Sequence, residues 1–137
     1  MKKFYTSILK INKKILKKKI FYKLKKDKSA VSNLDLELEK KISKSIRFFF
    51  PDIHQIISEE SFKKKKLNKV DFKKPFAIFD PIDGTENFIS GLDMFGQTIS
   101  IRSFEKGYFD LIFLPKQNIM LTTENISKKK KKNLFKI

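Results

Sequence analysis

One stretch constrains this chain more than any other: Phe76-Ala77-Ile78-Phe79 runs directly into Asp80-Pro81-Ile82-Asp83-Gly84-Thr85. The apolar run reads as a short buried strand. It delivers two carboxylates, Asp80 and Asp83, into a turn where Pro81 fixes φ and Gly84 permits backbone geometry that other residues resist. Two acids three residues apart in a tight turn can converge on one point. Unpaired, they repel and one takes up a proton. A divalent cation relieves that repulsion, and an all-oxygen donor set selects Mg²⁺, Mn²⁺ or Ca²⁺. Backbone N–H groups after Gly84, at a helix start, can hold an anion. Cation and anion cradle together point to a phosphate ester. Each of these residues is also a common turn former, so an ordinary surface turn is the competing reading. The apolar run upstream counts against it.

The rest of the chain supplies the frame. Phe4, Ile8, Ile11, Ile15 and Tyr22 recur at helical spacing with Lys on much of the other face, which predicts a basic amphipathic helix over residues 1–27. Such a helix can lie on an anionic membrane or serve in targeting, or it can pack its apolar stripe on the body. The packing role is favoured, because transit peptides lean on Arg and Ser, which are scarce here. No apolar segment precedes a small-residue cleavage site, so secretion is not expected and a cytoplasmic location is. Val31-Ser32-Asn33 reads as extended. Leu34, Leu38, Ile42 and Ile46 predict a second helix that stops before Pro51. Short strands are expected at Ile53–Ile57, Phe76–Phe79, Gln97–Ile101, Asp110–Leu114 and Ile119–Thr122. Phe62–Lys74 reads as a solvated Lys-rich loop and residues 124–137 as a basic tail.

Composition removes several chemistries. The 137 residues include no Cys and a single His, so disulfides, thiolate metal sites and His-rich zinc sites are excluded. His54 reads as a loop or packing residue without a role. No stretch approaches the ~20 apolar residues that a membrane span needs. The net charge of +17 invites a nucleic-acid reading, but its distribution argues otherwise. Residues 1–28 carry a net +11, residues 128–137 a net +6, and the 99 residues between them sum to zero. Only two of the 32 basic residues are Arg, the side chain best suited to reading phosphates and bases. A basic nucleic-acid or membrane-surface protein is therefore the weakest of the functional readings, and no specific nucleic-acid partner is expected.

At this point the motif resembles something known. Asp80-Pro81-Ile82-Asp83-Gly84-Thr85-x-Asn87-Phe88 is similar to the central signature of the inositol monophosphatase family of Mg²⁺-dependent, lithium-sensitive sugar phosphatases. Ile57-Ser58-Glu59-Glu60-Ser61 resembles the family's Gly-Glu-Glu-Ser segment, with Ser58 in place of Gly. Val31-Ser32-Asn33-Leu34-Asp35-x-x-x-Glu39 resembles its Val-Thr-x-x-Asp-x-x-x-Glu segment, and Ser90 to Ile101 continues the likeness, with Asp93 where Pro is frequent. Coverage runs from about Lys28 to about Thr122. The resemblance implies that Glu59, Asp80 and the carbonyl of Ile82 bind a first Mg²⁺, and that Asp80 and Asp83 hold a second, about 3.5–4 Å away. It implies that Thr85, backed by Asp35, orients the attacking water, and that Asp83, Gly84 and Thr85 receive the substrate phosphate. Asp35 has an alternative reading as a helix N-cap or dipole partner, and Glu59-Glu60 as a solvated charge cluster. Haloacid-dehalogenase-type enzymes place their two aspartates one residue closer, so a phospho-aspartate mechanism is rejected.

The expected fold is an α/β layered sandwich of the sugar-phosphatase type, cut short, with two N-terminal helices on a mainly antiparallel sheet. Residues 28–123 correspond to the amino-terminal half of the family's domain. Its later Trp-Asp-x-Ala-Ala-Gly-like segment has no counterpart here, so the second cation site lacks a ligand and the substrate pocket a wall. The resemblance thus implies a phosphoric monoester hydrolase acting on a small phosphorylated polyol or sugar, with 3'(2'),5'-bisphosphate nucleotidase or histidinol-phosphate phosphatase activity as alternatives. A non-catalytic remnant, or a cation-binding half that works with a complementing chain or as a homo-oligomer, is the competing reading.

Overall fold

The computed structural model describes residues 1–26, 29–62 and 71–123. Helix α1 (Lys2–Ile15) is followed by a hairpin of β1 (Tyr22–Leu24) and β2 (Ala30–Ser32), then helix α2 (Asn33–Phe49). Strand β3 (Gln55–Ser58) leads into the single turn of α3 (Glu59–Phe62). Strand β4 (Phe76–Asp83), the short helix α4 (Thr85–Ile89) and strands β5 (Gly96–Ser103), β6 (Gly107–Leu114) and β7 (Ile119–Thr122) complete the order. The main sheet runs β3-β4-β5-β6-β7, with β3 and β4 parallel and every other pair antiparallel. The hairpin β1-β2 is a separate two-stranded sheet.

Both long helices follow from their apolar spacing. Phe4, Ile8 and Ile15 on α1, and Leu34, Leu38, Ile42 and Ile46 on α2, are buried. They meet Ala77, Phe79, Ile99, Ile101, Phe109, Leu111 and Phe113 from one face of the sheet in a single core. Phe4 anchors it, packing edge-on against Phe50 and Phe109 at 5.3 and 5.7 Å between ring centroids. Burying each such side chain stabilises by ~1.5–3 kcal/mol. Two polar pairs cross the same layer: Ser7 and Ser45 hydroxyls join the helices at 2.8 Å, and the Asn12 and Gln97 amides exchange two hydrogen bonds. The opposite face of the sheet carries Ile78, Ile112 and Leu121, each exposed.

The first helix is shorter than its periodicity predicts. It ends at Ile15, with Leu16 as C-cap, and Tyr22 lies exposed on β1 opposite Ser32. The seven-residue step from Ile15 to Tyr22 happens to fit a helix. The chain instead crosses a Lys17-Lys18-Lys19 run and pairs with the extended Ala30–Ser32 segment. Strand β4 also continues past Phe79 to Asp83, and a register break between Asp80 and Asp83 brackets Pro81. Pro81 has no N–H to donate, so the bulge sits where the ladder can spare a donor. The basic tail at 124–137 and most of the Lys-rich loop, 63–70, lie outside the described residues.

Candidate active site

The bulged end of β4 aims its acids at one cavity. Glu59, Asp80, Ile82, Asp83, Gly84 and Thr85 all line an open pocket of ≈ 330 Å³, together with Ser29, Ala30, Glu86 and Asn87. Asp80 and Asp83 come from β4, Glu59 from the first residue of α3, and Thr85 from the first residue of α4. Gly84, the residue before α4, has φ +86°, and a Cβ there would meet the Met94 carbonyl at 3.1 Å. Only glycine fits that turn without strain.

Asp35 does not line the cavity; it stands behind Thr85. Its Oδ1 accepts a hydrogen bond from the Thr85 hydroxyl at 3.1 Å, while the Ile82 carbonyl, at 2.9 Å, is the second acceptor within reach of that hydroxyl. Asp35 Oδ2 accepts from the Ser32 amide at 2.8 Å and the Ser32 hydroxyl at 2.5 Å. Ser32 caps α2 in return, so the two residues form a capping box. Asp35 thus has the helix-terminus role that was its alternative reading, and the same carboxylate also accepts from the Thr85 hydroxyl.

The electrostatics of the cavity are those of crowded acids. Burial, reinforced by the charges of Glu59 and Asp83, pushes the Asp80 carboxyl up to about 7. Burial also raises Asp35, more than the hydrogen bonds from Ser32 and Thr85 lower it. The Asp80 side chain accepts one hydrogen bond from the Ile82 amide at 3.0 Å. Oxygen donors, the carboxylates of Glu59, Asp80 and Asp83 among them and one driven to hold a proton near neutrality, suit a hard divalent cation. Among the described residues, no three acidic side chains are drawn close enough to form a ready-made cage. Glu59 is engaged instead by Lys25, whose ammonium donates to Glu59 at 3.2 Å and to Glu60 at 2.5 Å.

Lys25 carries no signal in the sequence, and Glu60 enters there only as part of a motif and of a possible charge cluster. Burial alone would lower the Lys25 ammonium, but its hydrogen bonds and charge contacts with Glu60 and Glu59 outweigh this and raise it, so it is charged at neutral pH. Glu60, with its side chain 8% exposed, is no solvated surface charge. Ser58, standing where the family motif has Gly, fills its place with hydrogen bonds to Glu39 and Ser61. His54 is exposed, and its backbone N–H donates to the Pro75 carbonyl.

With this geometry in place, comparison with known proteins identifies its class. The sequence model of the inositol monophosphatase family matches residues 3–127, and the chain belongs to that family, a family of phosphatases. The match takes in α1, whereas the motif likeness begins near Lys28. "Nus factor SuhB" of Pasteurella multocida is 36% identical over 99 residues, 72% of this chain and 35% of that protein. The "fructose-1,6-bisphosphatase/inositol-1-monophosphatase" of Aquifex aeolicus is 30% identical over 91 residues, 66% of this chain and 32% of that protein. An IMPase/NADP phosphatase solved with Mg²⁺ and phosphate superposes with a TM-score of 0.67 at 17% identity, over 88% of this chain and 44% of that one. That likeness shows the fold: helices packed on a mixed sheet, over about half the neighbour's length. The chain spans about a third of the curated relatives it matches.

Proposed function

We propose that this chain supplies the cation-holding and water-orienting side of a Mg²⁺-dependent phosphomonoesterase that acts on a small phosphorylated polyol or sugar. The observation that carries the reading is the convergence of Glu59, Asp80, Asp83 and Thr85 on one cavity, with Asp35 hydrogen-bonded behind Thr85. Glu59, Asp80, Asp83 and the Ile82 carbonyl would hold the cation. Bound there, it would lower the pKa of a water and neutralise charge on the phosphate. Thr85 has one hydroxyl proton, directed at Asp35 or the Ile82 carbonyl, which leaves its oxygen free to accept from that water. Asp35, fixed by two bonds from Ser32, keeps the hydroxyl turned that way. The amides of Gly84 and Thr85 would meet the phosphate oxygens.

The experiment is phosphate release from inositol phosphate, adenosine bisphosphate and histidinol phosphate with Mg²⁺, using Asp80→Asn as control. Turnover that vanishes in the variant supports the enzyme reading. No turnover above the variant overturns the enzyme reading, and Mg²⁺ binding that Asp80→Asn removes would then leave the cation site alone standing. Turnover unaffected by Asp80→Asn overturns both.

A further inference from the structure

The Lys25 ammonium sits between Glu59 and Glu60 with its side chain 13% exposed, although Glu59 faces the cavity that the proposed function assigns to a cation. We infer that Lys25 is a built-in counter-cation competing with the divalent ion for Glu59, so that ion uptake requires Lys25 to release that carboxylate.

Three observations carry this. First, the two contacts are unequal: 2.5 Å to Glu60 and 3.2 Å to Glu59. Glu60 is also the more buried partner, its side chain 8% exposed against 39% for Glu59. Lys25 can therefore let go of Glu59 while Glu60 keeps it tethered and neutralised. Second, Lys25 follows directly on β1, whose three residues are all exposed and which, among the described residues, pairs only with β2, apart from the main sheet. A shift of the Lys25 end of that strand disturbs little of the core. Third, a compact ammonium satisfies the charge of a carboxylate but cannot bridge three of them as a divalent ion can.

The inference rests on the proposed cation site, and its test separates the two. Mn²⁺ affinity is measured by calorimetry and by electron paramagnetic resonance on the full chain, on Lys25→Met, on Asp80→Asn and on Lys18→Met. Lys18 lies in an exposed pair with Glu37 and controls for the loss of one positive charge. Lys25→Met is expected to bind Mn²⁺ roughly fivefold more tightly than the parent, the size of one partly exposed ion pair, while Lys18→Met matches the parent. In the unaltered chain, Mg²⁺ is expected to move the NMR signal of the Lys25 ammonium, a readout that needs no variant to fold. Equal or weaker Mn²⁺ binding by folded Lys25→Met, with Asp80→Asn still abolishing it, overturns the competition and leaves the cation site standing. An unmoved Lys25 signal at saturating Mg²⁺ does the same. No Mn²⁺ binding by the parent or by Lys25→Met overturns both.

Discussion

Asp35 and Thr85 lie fifty residues apart in the chain and meet at 3.1 Å, hydroxyl to carboxylate. The contact joins the first turn of α2 to the first turn of α4, so a helix cap and a pocket-lining hydroxyl share one side chain. Thr85→Ala removes a donor that favours the charged form of Asp35, so the Asp35 carboxyl is expected to rise further above its ordinary value. Thr85→Ser should leave it where it is. Carbon-detected NMR titration of the Asp35 carboxyl checks this, and an unchanged value in Thr85→Ala would show that the two groups are not coupled. In any preparation that turns over phosphate ester, Thr85→Ala should lose on the order of 10²-fold in rate and Thr85→Ser much less.

Asp80 makes stability depend on pH in an unusual direction. Its carboxyl titrates at about 7 when folded, against ~3.9 in an unfolded chain. The folded state therefore holds a proton that the unfolded state has lost between those values. Its contribution is fully present below ~4 and declines as pH rises to about 7. Without divalent cation, urea midpoints should be higher at pH 5.5 than at pH 8. Asp80→Asn should flatten that slope and stabilise at pH 8 by roughly 1–2 kcal/mol, after allowance for solvent screening. At pH 8, added Mg²⁺ should raise the midpoint of the parent and not that of the variant. A midpoint that rises from pH 5.5 to pH 8 in the parent would contradict this account.

What was legible in the sequence was what is local in it. Leu34, Leu38, Ile42 and Ile46 announce α2, and Pro51 announces its end, because both signals act within a turn or two of the chain. Asp80 to Thr85 could be read together because one bulged strand end carries them. Periodicity failed at Tyr22, where pairing with Ser32 overrides a spacing that fits a helix. Lys25 was illegible for a different reason. It is one of 32 basic residues, and only its contacts with acids 34 and 35 residues away set it apart. The pairing of Asn12 with Gln97, across 85 residues, left no trace in either segment.

That buried amide pair supplies a test of the helix–sheet packing. Asn12 and Gln97 are almost fully buried and satisfy each other through bonds of 2.8 and 2.9 Å. Replacing one with an apolar residue leaves the other amide buried without its partner, a cost of ~1–3 kcal/mol. Asn12→Leu or Gln97→Met should therefore each lower the urea midpoint. The double variant should recover part of the loss, because neither orphan remains. Strict additivity of the two single effects would mean that the amides do not depend on each other.

Gly84 and Gly91 separate two costs that usually arrive together. Both have positive φ, +86° and +78°. A Cβ at Gly91 meets nothing within 4 Å, whereas one at Gly84 meets the Met94 carbonyl at 3.1 Å. Gly91→Ala should therefore cost only the left-handed backbone strain, about 1 kcal/mol. Gly84→Ala carries the same strain and in addition forces either the Met94 carbonyl or the start of α4 to move. Because Thr85 is the next residue, that movement should loosen its contact with Asp35. Chemical denaturation should thus rank Gly84→Ala below Gly91→Ala. The Asp35 carboxyl should shift upward in Gly84→Ala alone, as it does when the Thr85 hydroxyl is removed. An equal loss of stability in the two variants, with Asp35 unmoved in both, would show that the turn yields without disturbing the pocket.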